Sequence, residues 1–138
     1  MSYDLMVFEE SKAPRTYEDF IEWYNKQTQW SEEHDYMSSS VTSPFLQSWF
    51  MEMKDIFPPM NGEYAPDDDL IEADGNLEAH LTDYCIGSSV IYAAFAWSLA
   101  EKAYDLVTQL AIKHNVGFFD VSGNEEVIFP DGTKLSKP

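Results

Sequence analysis

Apolar and polar positions alternate along the chain in a way that predicts eight elements. The longest signal runs over 90–121. Val90-Ile91-Tyr92-Ala93-Ala94-Phe95-Ala96-Trp97 carries no charge and is rich in β-branched and aromatic residues, the composition of a strand buried on both faces. From Ser98 the period changes. Leu99, Ala103, Leu106, Val107, Leu110 and Ala111 recur at helical spacing and form one apolar stripe. Ser98 followed by Glu101 reads as a capping box, Lys113 and His114 suit the last turn, and Asn115 suits a left-handed stop. Val116-Gly117-Phe118-Phe119-Asp120-Val121 then returns to strand character. The block predicts strand, helix and strand in one sheet.

The flanking segments extend this pattern. Residues 2–8 alternate, with Tyr3, Leu5 and Val7 on one face and Asp4, Met6 and Phe8 on the other. Thr16 is a predicted N-cap for a helix over 17–28, whose apolar face is Tyr17, Phe20, Ile21 and Tyr24, widened by Trp23. Ser43-Pro44 starts a second helix. It carries Phe45, Leu46, Trp49, Phe50, Met53, Ile56 and Phe57 and stops at Pro58-Pro59. Residues 30–42 and 60–81 are polar and irregular. Strands are expected over 82–88 and 125–129, and 133–138 as a loose tail. Runs of both element types give an α+β class, with about three helices packed on one face of a mainly antiparallel sheet. The nearest standard plan is the ferredoxin-like split βαβ sandwich, formed as a single domain over 1–138.

Composition narrows the function. At 138 residues, with 44% hydrophobic and 15% aromatic content, the chain can bury a real core. No apolar run reaches membrane-spanning length. The first ten residues lack the basic start of a signal peptide. Cys85 is the single cysteine, which excludes an internal disulfide and favours a reducing, cytoplasmic setting. There are 25 acidic and 8 basic residues, for a net charge of −17. That balance argues against nucleic-acid or anionic-membrane partners, which need a positive surface. The charge is also unevenly spread. From Asp55 to Glu101 there is no Lys or Arg, and there are ten acids. Such a one-sided run favours an acidic recognition surface over simple solubility. Its candidate residues are Asp67, Asp68, Asp69, Glu72 and Asp74. Glu32, Glu33 and Asp35, beside Trp30, form a second candidate patch. Trp30 reads either as a core residue or as an interface anchor.

Catalytic and metal signals are weak by comparison. Asp67, Asp69 and Glu78 have partial calcium-loop spacing, but Glu72 stands where the loop requires Gly. Glu32, Glu33, His34 and Asp35 lack zinc-protease spacing. His80, Asp83 and Cys85 are close in sequence, whereas a Cys–His pair needs closeness in space. No cofactor motif, Gly-rich phosphate loop or hydrolase elbow is present. The expectation is therefore a protein that is not an enzyme and holds no metal or cofactor. A small metal-dependent hydrolase and a housekeeping or regulatory dimeric domain are the alternatives.

Several strings carry a family resemblance. They are Ser2-Tyr3-Asp4-Leu5-Met6-Val7-Phe8; Trp49-Phe50-Met51-Glu52-Met53 with Phe57-Pro58-Pro59-Met60-Asn61-Gly62; and Asp83-Tyr84-Cys85-Ile86-Gly87 leading into 90–97 and 116–122. Together they resemble a family of small acidic bacterial proteins, some of which are similar to immunity proteins of contact-dependent growth inhibition and related polymorphic toxin systems. The resemblance spans most of the chain, but its strings are mainly core-type residues, so it assigns no binding residue. It implies a protein retained in the producing cell that binds a cognate toxin domain and blocks its active site. Such toxins are often nucleases, which are basic because they hold phosphates.

Overall fold

The computed structural model describes residues 2–137. Met1 and Pro138, the last residue of the expected tail, lie outside the described residues. In chain order the elements are β1 (Tyr3–Phe8), α1 (Tyr17–Gln27), α2 (Pro44–Ile56), α3 (Asp68–Ala73), α4 (Gly75–His80), β2 (Asp83–Ile86), β3 (Val90–Phe95), α5 (Ala100–Lys113), β4 (Gly117–Phe119), β5 (Val127–Ile128) and β6 (Lys134–Leu135). The strands form one sheet in the order β2-β3-β1-β4-β5-β6, and every neighbouring pair is antiparallel. The class is α+β. Because β3 and β4 both run antiparallel to β1, they are parallel to each other. They flank β1 and are joined by α5, so the strand–helix–strand block is split by the first strand.

β1 organises the sheet because both of its faces are buried. Tyr3, Leu5 and Val7 enter one core with Leu46, Trp49, Phe50 and Met53 of α2 and Ala103, Val107 and Leu110 of α5. Met6 and Phe8 enter a second core with Phe20 of α1, Phe119, Val127 and Phe129. Helices therefore cover both faces, not the one face expected from the sequence. The reason lies in the even positions of β1: Met6 and Phe8 are large and apolar, and leaving them in water would forfeit roughly 2 kcal/mol each. The second core is largely aromatic. The Phe8 ring packs on Phe20 at 5.0 Å and on Phe129 at 5.4 Å, both measured between centroids.

Polar groups tie α2 to α5 and to β2. The Trp49 indole N–H donates to the Val107 carbonyl at 3.4 Å. The Tyr84 hydroxyl donates to the Phe57 carbonyl at 2.7 Å, which satisfies one of the orphan carbonyls at the end of α2. Glu52 of α2 accepts from Lys113 Nζ at 2.6 Å and from His114 Nε2 at 3.0 Å. Asn115, with φ of 59°, supplies the left-handed stop.

Several sequence expectations shift. β3 ends at Phe95, and Trp97–Leu99 forms a 3-10 turn that leads into α5. Leu99 occupies the cap position without a side-chain hydrogen bond. Ser98 lies inside the turn, one residue out of phase, so no capping box with Glu101 forms. Trp97 is 48% exposed and leans on Tyr3 at 5.1 Å instead of entering the core. Phe45 and Ile56 are also exposed, off the buried stripe of α2. The segment expected to be irregular contains α3 and α4, each six residues long and too short for a period to register. The expected loose tail contains β6, which pairs with β5 across the Pro130-Asp131-Gly132 turn.

Gly117 sits opposite Phe8 in the register. A Cβ there would lie 2.2 Å from the Phe8 ring, so glycine is required for close approach. Gly117→Ala is expected to destabilise the fold by about 1–3 kcal/mol in urea unfolding. Phe8→Leu in the Gly117→Ala background should recover part of that loss. Simple additivity of the two changes would contradict the contact.

Candidate partner-binding surface

Residues 61–81 form an arm whose two ends are pinned to each other. The Thr82 N–H donates to the Pro58 carbonyl at 2.9 Å, and the Met60 N–H donates to the Thr82 carbonyl at 3.0 Å. Between these points the chain leaves the core, forms α3 and α4, and returns at the start of β2. Asp67, Asp68, Asp69, Glu72 and Asp74 are all exposed on this arm. Asp74 also shapes the arm, because its carboxylate accepts the Asn76 N–H at 3.0 Å and caps α4. The side chains of Asp67, Asp68, Asp69 and Glu72 make no hydrogen bond or ion pair among the described residues. Some acids elsewhere on the surface have cations, whereas exposed Glu18, Asp19, Glu22, Glu101 and Asp105 have none among the described residues. Glu10 and Asp131 share Arg15, Glu52 holds Lys113, Asp55 holds Lys54, and Glu125 holds Lys137.

The arm is docked through His80, which is buried against Phe57 with ring centroids 5.2 Å apart. His80 Nδ1 lies 2.7 Å from the Asn76 carbonyl oxygen, which can only accept, so Nδ1 carries the proton and donates. Nε2 is then left to accept from Lys102 Nζ at 2.7 Å. Lys102 Nζ is thus engaged by the His80 imidazole and by no carboxylate of the arm. Lys54, Asp55, Asp74, Tyr64, His80 and Lys102 line an open cleft of about 480 Å3 beneath α4. Its charges are mixed in sign.

The second expected patch divides. Glu33 and Asp35 are exposed, and Asp35 accepts the Met37 N–H at 3.0 Å. Glu32 is half-buried and structural. Its carboxylate accepts the Ser88 N–H at 3.1 Å and pairs with His34 Nε2 at 2.9 Å, clamping the 30–36 loop onto the β2–β3 bend. Trp30, with φ of 52°, is also half-buried. Its ring meets Tyr36 at 5.2 Å and Tyr92 at 6.1 Å. It belongs to the edge of the second core and keeps one side open to solvent.

His80, Asp83 and Cys85 do not converge. Both ring nitrogens of His80 are occupied on the side of Phe57, whereas Asp83 and Cys85 face a separate cavity on the α1 side of the sheet. Burial, and then the charge of Asp83, push the Cys85 thiol above its ordinary range, which disfavours the thiolate. Among the described residues no group of three or more His, Cys, Asp and Glu converges on a metal position. No helix among them is long and apolar enough to cross a membrane. Sequence reasoning missed Lys102 as the partner of His80, Asp83 and Tyr92 as neighbours of Trp30, and Tyr92 as the partner of Asp4. The signal for the last was present: Asp4 is the one acid in an otherwise apolar strand, in phase with Met6 and Phe8. No protein-family model matches the chain, and neither does any curated protein or solved structure.

Burial alone raises the Glu32 carboxyl, but hydrogen bonds from His34 and Ser88 outweigh it and hold the group below its ordinary 4.5. A carboxylate depressed in the folded state contributes stability above the unfolded value and loses it as pH falls through the folded one. Glu32→Gln should therefore lower stability by about 1 kcal/mol at pH 7. That difference should shrink progressively below pH 4.5 in thermal melts. Equal melting temperatures at pH 7 would contradict the clamp.

Proposed function

We propose that this protein is a non-catalytic immunity protein that stays in the cytoplasm of the producing cell and neutralises a basic toxin domain, most simply a nuclease, by covering its active site. The observation that carries the reading is the pinned arm with exposed carboxylates that lack an ion pair among the described residues, at Asp67, Asp68, Asp69 and Glu72, with Glu63, Glu78 and the cap residue Asp74 beside them. Like charges held together without cations repel and cost stability, so a partner that supplies cations gains affinity by relieving that repulsion. A nuclease must present cations where phosphates bind. Carboxylates offered at that site steer association and exclude nucleic acid. The resemblance of the core strings to immunity families points the same way, through an expected shared fold and not through any shared binding residue. A hydrolase built on His80, Asp83 and nearby acids is disfavoured because His80 is engaged beside Phe57 while Asp83 faces the cavity on the other side of the sheet.

Co-expression with the C-terminal toxin domain encoded immediately upstream is expected to rescue growth and yield a one-to-one complex. Absence of both outcomes would overturn the reading. A variant carrying Asp67→Asn, Asp68→Asn, Asp69→Asn and Glu72→Gln, with the Asp74 cap kept, should associate about tenfold more slowly at low salt. Its association rate should also depend less on salt than that of the parent protein. Unchanged kinetics would remove the electrostatic part of the reading.

A further inference from the structure

A cavity of about 260 Å3 opens on the α1 side of the sheet, beside the edge strand β2. Its floor is small because Ala94 lies there. The register pairs Ala94 with Asp4 on β1 and with Asp83 on β2. Side chains directly opposite on one sheet face stand about 4.5–5.5 Å apart at Cβ, so both aspartates share the Ala94 face; of the two, Asp83 lines the cavity, while the Asp4 oxygens are met by the Tyr92 and Ser2 hydroxyls. The walls carry three aromatic rings, Tyr24 from α1, Trp30 from the loop after it and Tyr92 from β3, with Thr28 and Cys85 completing the lining. The Trp30 and Tyr92 rings are nearly perpendicular, at 83°. Two of these groups are held in place. Trp30 is braced by Tyr36 at 5.2 Å, and the Tyr92 hydroxyl donates to Asp4 Oδ2 at 2.5 Å. Asp83 is exposed and makes no hydrogen bond or ion pair among the described residues.

The chemistry of this lining selects its occupant. Aromatic faces attract a cation within about 6 Å of the ring centroid, most strongly over Trp. Asp83, unpaired in the lining, favours positive charge and repels anions. A purely apolar occupant would desolvate Asp83 without giving it a partner. The volume lies below the roughly 300–1,000 Å3 typical of small-molecule pockets, so it suits one side chain. Resting on the reading of a basic protein partner, we propose that this cavity receives the ammonium or guanidinium head of a lysine or arginine from that partner. The charged head would lie against Asp83, with its methylene stem against Trp30 and Tyr92.

The free protein tests this with n-butylguanidinium as the probe and N-butylacetamide as its neutral counterpart, followed by amide and indole NMR shifts. The expected result is saturable binding of the cation, with Kd on the order of 1 mM, and shifts centred on residues 92–95 and the Trp30 indole. Trp30→Ala and Asp83→Asn should each weaken binding roughly tenfold. Ala94→Leu, which fills the floor, should abolish it. Asp83→Asn alters only an exposed side chain and keeps the test available if Ala94→Leu does not fold. Unsaturable shifts, an equal response to the neutral probe, or unchanged binding by Asp83→Asn would overturn the proposal. The co-expression assay reads partner binding without any probe. A protein that binds the probe but forms no toxin complex would retain the cation cavity and lose the immunity reading. In that case the occupant would not be a toxin side chain, and the proposal would be overturned in that part.

Discussion

The interaction on which the structure depends is the burial of β1 on both faces. A strand with one apolar face needs one layer of helices, and a strand with two needs a sandwich. Tyr3, Leu5 and Val7 demand α2 and α5, and Met6 and Phe8 demand α1. With β1 in the middle, β3 and β4 take the flanking positions and α5 must cross over the sheet between them. The close approach of Phe8 to Gly117 then sets how near β4 can come. In this sense the aromatic second core is a consequence of two side chains on one strand.

The same strand explains where polar chemistry is tolerated. Asp4 interrupts the apolar phase of β1 only at its start, where the Tyr92 hydroxyl and the Ser2 hydroxyl meet its carboxylate. The strongest charge is kept away from both cores. The backbone pins at Pro58, Met60 and Thr82 let residues 61–81 leave and return at one point. The arm's carboxylates therefore remain hydrated, and the core does not bear the cost of burying them. The arm rejoins the sheet at β2, and the cavity beside Trp30 borders the same edge strand. The main-chain edge of β2 is partly covered as well, because the Ile86 N–H donates to the Tyr36 carbonyl at 2.9 Å, which blunts unspecific strand pairing.

Much of this was legible in the sequence. The change of period from 90–97 to 98–115 located β3, α5 and β4, and Ser43-Pro44 and Asn115 marked helix ends correctly. What was not legible has physical causes. Met6 and Phe8 alternate with apolar neighbours, so the strand reads the same whether one face is buried or two. Ser98 and Glu101 have the spacing of a capping box, yet a 3-10 turn shifts the helix start past them. The helices α3 and α4, and the two-residue strand β6, are held by tertiary contacts and leave no periodic trace. The acids of the arm were found from charge alone. Glu32 reads with Glu33 and Asp35 as a second patch, although its carboxylate is tied to Ser88 and His34, because a one-dimensional pattern cannot show an amide that is distant in sequence. The Asp4–Ala94–Asp83 row was out of reach for the same reason: it needs the register of three strands.

The central claim is that the pinned acidic arm and the Trp30 edge face one basic protein. Hydrogen–deuterium exchange of the protein with and without the co-expressed toxin domain tests it most directly. The account expects slower exchange in the complex at residues 67–80 and 28–36, with β1 and α5 unchanged. Protection confined to the outer face of α5 or to the β5–β6 hairpin, with the arm exchanging as in the free protein, would contradict it.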